Sequence, residues 1–155
     1  GEDRYRRGLY TFCRRTAPYP SMLTMDATSR IVCTVRRIRT NTPLAALVTL
    51  NDPVYVEAAQ ALARRMVENG QTTADKASFG FRLCLARPPN DAELNMLTTL
   101  YDQSLFELAG NVEQATSLAT EPLGAAPAGV DVIELAAWTV VANVLLNLDE
   151  MFLKR

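Results

Sequence analysis

Arg36, Arg37 and Arg39 stand directly before the run Thr40-Asn41-Thr42-Pro43, an order of residue types suited to holding an anion. Proline favours the first position of a helix, so free backbone N–H groups open there, and hydroxyl and amide side chains add donors beside them. Guanidinium groups next to such a helix start would supply forked, charge-assisted hydrogen bonds to a sulfate, phosphate or carboxylate. Arg36, Arg37, Arg39, Thr40, Asn41 and Thr42 are therefore the candidate anion-binding residues, with sulfated or uronic-acid glycans as candidate ligands. A structural reading competes with this one: the same arginines neutralise acids of the chain, and Asp26, Asp52, Asp149 and Glu150 are the ion-pair candidates. Residues 1–40 carry nine arginines and three acids, a charge of +6, whereas residues 41–155 carry seven bases and fourteen acids, a charge of −7. That complementarity, and the lack of a glycine-rich phosphate loop, favours the structural reading.

Other chemistry is weaker. The chain of 155 residues has no histidine, which removes histidine-based triads, histidine metal ligands and histidine-ligated haem from it. Asp26 and Asp52 are the one carboxylate pair to consider as acid and base on a glycosidic bond, since Asp149 and Glu150 are adjacent, and most other acids fall on solvated helix faces. Cys33 lies among arginines that would favour its thiolate, but without a base partner Cys13, Cys33 and Cys84 read better as small buried hydrophobes. Tyr5, Tyr10, Phe12 and Tyr19 interleave with Arg6, Arg7, Arg14 and Arg15, a composition for stacking on sugar rings or for packing arginine on aromatics. The near-neutral total charge argues against a nucleic-acid binder. The longest uncharged apolar stretch, residues 135–148, contains Thr139, Asn143 and Asn147 and is too short and polar to span a membrane.

The elements that must position these residues are helical. Thr42-Pro43 and Asp52-Pro53 each place a capping side chain before a first-turn proline, which predicts helices over 43 to about 50 and 53 to about 69. In the second, Val56, Ala59, Ala63, Met66 and Val67 share an inner face, and Glu57, Gln60, Arg64 and Glu68 an outer one. A third helix is expected over 73 to about 86, with Ala77, Phe81, Cys84 and Leu85 inward, stopped by Pro88-Pro89. Asn90 and Glu93 form a capping-box pattern for a fourth carrying Leu94, Leu97, Tyr101, Leu105 and Leu108, closed at Gly110. A short helix over 111 to about 119 and a turn-rich loop over 121–129 lead to a last helix, 131 to about 148, apolar nearly all round and so placed at the centre. Residues 5–16 suit a helix that Pro18 and Pro20 would end, and 21–39 reads as mostly irregular. The expected fold is all-α: a single-domain bundle of five to six helices over 41–155 with an irregular, arginine-rich arm over 1–40.

Several blocks together, RYRRGLYTF (4–12), RTAPYPSM (15–22), MDATSR (25–30), VRRIRTNTPLAALVTLNDP (35–53), EAAQALARRM (57–66) and LNLDEMF (146–152), resemble the C-terminal planctomycete domain of unknown function found in large cytochrome-c-domain-containing exported proteins. The resemblance spans nearly the whole chain, with departures at Cys13, Met25 and Ala45, where that family commonly has an aromatic, Phe and Gln. It implies that the chain is the C-terminal fragment of a larger polypeptide, outside the cytoplasm at the periplasm or cell surface, with haem elsewhere in the parent. No catalytic residues carry over from it. The expectation is a non-catalytic structural or interaction domain without cofactor or metal, whose partners are upstream domains of the same protein. The alternative is binding or processing of anionic polysaccharide by the arginine cluster, with Asp26 or Asp52 as acid/base.

Overall fold

Fifteen residues near the C-terminal end, Val132–Leu146, contain one charged side chain, Glu134, and so have no polar face to turn to water. Such a helix must be covered on all sides. In the computed structural model, which describes residues 5, 8–10, 12, 14, 16–28, 31–36 and 42–152, it is the central element. The described residues form eight α-helices: α1 (Pro20–Thr24), α2 (Pro43–Asn51), α3 (Pro53–Asn69), α4 (Thr73–Leu85), α5 (Asp91–Ala109), α6 (Val112–Thr120), α7 (Val132–Leu146) and α8 (Asp149–Phe152). No strand occurs among them, so the chain is all-α as expected.

Contacts divide the chain into two units, Gly1–Thr49 and Leu50–Arg155, and each is described by itself. In the second, α3, α4, α5 and α6 surround α7, burying Leu135, Trp138, Val141 and Leu145 completely or almost so. Ala59 and Ala63 of α3 and Ala136, Ala137 and Ala142 of α7 are wholly buried, small side chains that let the two helices approach closely. Gly80 of α4 belongs to the same logic, since a Cβ there would meet the Met66 sulfur at 2.6 Å. Tyr101 of α5 stacks on Trp138 with ring centroids 4.4 Å apart. Burial, then the charge of Glu134, pushes the Tyr101 phenol up to about 12.

The expected caps are present, and three more, Thr72, Asn111 and Asp131, were not anticipated. Asp52 accepts a hydrogen bond from Val54 N at 2.9 Å, and Asn90 and Glu93 exchange capping-box bonds at the start of α5. At α4, Thr72 and Asp75 form a second capping box, with Asp in the place where Glu or Gln is the usual signal. Two short helices also went unpredicted. Pro20, expected as a stop, instead begins α1 at its first position, and the last helix breaks at Asn147 before resuming as α8. Within residues 5–16, of which 5, 8–10, 12, 14 and 16 are described, Gly8–Tyr10 form a 3₁₀ turn, and the rest of the helix expected there falls in part outside the described residues.

The outer face assigned to α3 needs correction, because Glu57 and Gln60 are buried. Gln60 Nε2 donates to the carbonyls of Leu118 and Glu121 at 2.7 and 2.6 Å, and its Oε1 accepts from Leu123 N at 3.1 Å. The end of α6 and the turn after it thus use one amide to satisfy three backbone groups that the chain reversal leaves without helical partners. Arg64, one turn on, donates to the Gly124 carbonyl in the same loop. The burial expected for Cys33 also fails: it is exposed, in an irregular stretch, while Cys84 is half-buried against the core and Cys13 lies outside the described residues. Replacing Gln60 with Leu keeps the volume but orphans three backbone groups, so denaturant unfolding of the variant should show a loss of about 1–3 kcal/mol or more.

Candidate functional site

Of the residues assigned to anion binding, Arg37, Arg39, Thr40 and Asn41 lie outside the described residues, and Arg36 is exposed. Thr42 directs its hydroxyl oxygen back to the helix, accepting from Ala45 N at 3.2 Å. The side chain that was to assist an anion is thus engaged as the cap of α2.

The four acidic candidates take up separate positions. Asp26, in the N-terminal unit, comes after α1 with φ 58°; its N–H donates to Leu23 O and that of Ala27 to Met22 O. This is a helix C-terminus closed by a left-handed residue, a conformation that Asp tolerates better than most. Asp52 belongs to the bundle and caps α3, where burial and, more weakly, the Asp52 charge raise the Tyr55 phenol above its usual range. Asp149 and Glu150 open α8.

Glu150 leads to a polar cluster of the bundle centred on Arg87, a residue that no local sequence pattern marks. Pro88 and Pro89 stop α4, and Ala86 turns the chain through a left-handed conformation, which aims Arg87 across the α4–α5 junction. Its Nη1 and Nη2 donate to Glu93 Oε2 and Oε1 at 2.9 and 2.7 Å. On the other side Nε and Nη2 donate to Glu150 Oε2 and Oε1, both at 2.9 Å. The guanidinium also lies 4.8 Å from the Phe81 ring centroid. One planar cation thereby ties α4, α5 and α8 through two forked pairs.

Glu93 does double duty, since the oxygen that accepts from Arg87 Nη1 also accepts from Asn90 N at 2.8 Å. Hydrogen bonds from Arg87, then from the Asn90 backbone, hold the Glu93 carboxyl at about 2, and the same pairing raises Arg87 above its already high range. With both carboxylates engaged, the cluster offers no free acid or base and acts as a clamp. A further ion pair, Lys76 Nζ to Glu134 Oε1 at 2.6 Å, joins α4 to α7. Among the described residues no group of three or more Cys, Asp or Glu is placed to hold a metal.

The N-terminal unit presents the opposite picture. Tyr5, Leu9, Tyr10, Phe12, Tyr19, Leu23, Ile31, Val32 and Val35 are all exposed, and the buried residues described in this unit are the small Ala45 and Thr49. Arg14 lies 5.9 Å from the Phe12 ring centroid, a cation over an exposed aromatic face. The stretch with the most arginine and aromatic residues is thus also the one without a buried large side chain among its described residues.

The family profile for PSD1, described as "Protein of unknown function (DUF1553)", matches residues 1–101. The chain belongs to that family. The PSD1 match takes in the arginine-rich unit, α3, α4 and α5 as far as Tyr101, the residue stacked on Trp138. No curated protein and no solved structure matches the chain significantly.

The clamp has a pH signature. The folded Glu93 carboxyl is depressed from about 4.5 to about 2, so its contribution to stability is complete above the unfolded value and is lost as pH falls through that window. Melting temperatures measured across it should fall more steeply for the wild-type chain than for Arg87→Met, whose Glu93 retains only the Asn90 bond.

Proposed function

We propose that this PSD1-family chain is a non-catalytic interaction domain whose arginine- and aromatic-rich N-terminal unit seats on an acidic partner surface, with the helical bundle as the self-sufficient folded part of the chain. The observation that carries the reading is the absence of any buried large hydrophobic side chain among the described residues of Gly1–Thr49, alongside so many exposed ones. Ordering a chain costs roughly 1–2 kcal/mol per residue in backbone entropy, and burying the exposed large side chains described in this unit against a partner would help to offset it. Nine arginines and three acids over residues 1–40 select an acidic surface for that role. The family resemblance supports upstream domains of a longer exported polypeptide as that surface, outside the cytoplasm, with haem held elsewhere in the parent. No cofactor or membrane span is assigned to this domain, in which no described helix is long and apolar enough to cross a membrane.

The second reading, an anionic polysaccharide site on the same unit, is favoured by exposed Tyr5, Tyr10, Phe12 and Tyr19 in a unit that also exposes Arg14 and Arg36. Stacking on sugar rings and forked pairing to sulfate or uronate would use just those groups.

Two measurements on the full chain separate the readings. Tagged preceding domains of the parent polypeptide, supplied in trans, should retain the chain at low ionic strength and release it on Arg14→Glu with Arg36→Glu; retention indifferent to both substitutions contradicts the first reading. Calorimetric titration with a sulfated hexasaccharide should give no binding heat. Saturable heat lost on Phe12→Ala and Arg14→Ala would establish the polysaccharide reading instead.

A further inference from the structure

We propose that the outer face of α5 is a docking site for a cationic amphipathic helix of another protein. The inference rests on the bundle alone and is independent of the role assigned to the N-terminal unit.

Asn95, Met96, Thr99, Leu100 and Gln103 line a shallow open groove on α5. Four of them, Met96, Thr99, Leu100 and Gln103, stand at i, i+3, i+4 and i+7. That is the frame which receives one side chain from a helix packed alongside, a hole awaiting a knob. The helix that packs on α7 through Leu97, Tyr101, Ser104 and Leu108 therefore carries a second packing surface on its far side.

That surface is apolar where stability of the bundle does not require it. Met96 is 66% exposed and Phe106 is 84% exposed. At about 100° per residue both fall on the half of α5 that holds the groove, away from the buried face. Solitary exposed hydrophobes need no explanation, but Met96 lines the groove itself and Phe106 lies further along the same face, a pairing that points to a partner.

The charge on this face selects the partner. Asp91 and Asp102 border this face on one edge and Glu107 lies on it, one turn beyond Gln103, all exposed. From residue 88 to residue 153 the chain has ten acids and neither lysine nor arginine. A second copy of α5 laid across the groove would set acids against acids, so self-association is disfavoured. A helix with an aliphatic seam flanked by Lys or Arg meets both the hole and the field around it.

The test is calorimetric titration of the full chain with two helix-forming probes of about 21 residues, sharing a leucine seam and flanked by lysine in one and glutamate in the other. The leucine–lysine probe should bind and the leucine–glutamate probe should not. Thr99→Lys with Gln103→Arg, which fills the hole and inverts its field on an exposed face, should weaken binding at least about tenfold without lowering the melting temperature. Glu68→Lys on α3 should leave it unchanged. Failure of the lysine probe to bind, equal binding of both probes, or equal loss in the Glu68 variant would overturn the proposal. So would a dimer of the chain, seen by sedimentation, that the α5 substitutions dissociate.

Discussion

Everything in the bundle derives from the need to cover α7 on every side. A helix with Glu134 as its one charged residue cannot lie on a surface, so α3, α4, α5 and α6 are held around it, and each gives up its most apolar or smallest stripe to the contact. Fully burying a Leu or Val side chain contributes on the order of 1.5–3 kcal/mol, so the seam through Leu135, Trp138, Val141 and Leu145 dominates the unit's stability. The polar features are subordinate to that seam. Gln60 closes the reversal between α6 and α7, and Arg87 fastens the α4–α5 junction and α8 to the rim.

Once the core is built this way, charge is left segregated. From residue 88 to residue 153 the bundle carries ten acids and neither lysine nor arginine; Arg87 is taken up by Glu93 and Glu150, and Lys76 by Glu134. The N-terminal unit holds nine of the chain's arginines and no buried large side chain among its described residues. The proposed interaction role follows from this contrast between an acidic bundle built on α7 and a basic unit whose described large side chains are exposed or only partly buried.

Much of the bundle was legible in the sequence because its determinants are local. Thr42-Pro43, Asp52-Pro53 and Asn90 with Glu93 mark helix starts through residues a few positions apart, and the uniform apolarity of 132–146 announces a central helix. Gln60 and Arg87 were not legible, since their partners lie about sixty residues away at Leu118, Glu121, Leu123 and Glu150, and helical periodicity alone puts a glutamine outside. The breaks at Pro20 and Asn147 escaped for a different reason. Proline both stops and starts helices, and the residues after it decide which, while the turn at Asn147 carries no glycine or proline to mark it. Of the anion site, Thr42 is engaged as a cap, and the acids Asp26 and Asp52 each serve a helix terminus, roles that residue type alone does not distinguish from chemistry.

The central claim is that the bundle carries its own stability while the N-terminal unit does not. Hydrogen–deuterium exchange on the intact chain tests it most directly, by comparing backbone amides of α7 with those of α1 and the turn after it. Amides of Leu135 to Leu145 should exchange only through global unfolding, and those of Met22 to Ala27 through local opening, faster by orders of magnitude. Equal, maximal protection in both segments would show that the N-terminal unit already has its core, and the account would be wrong.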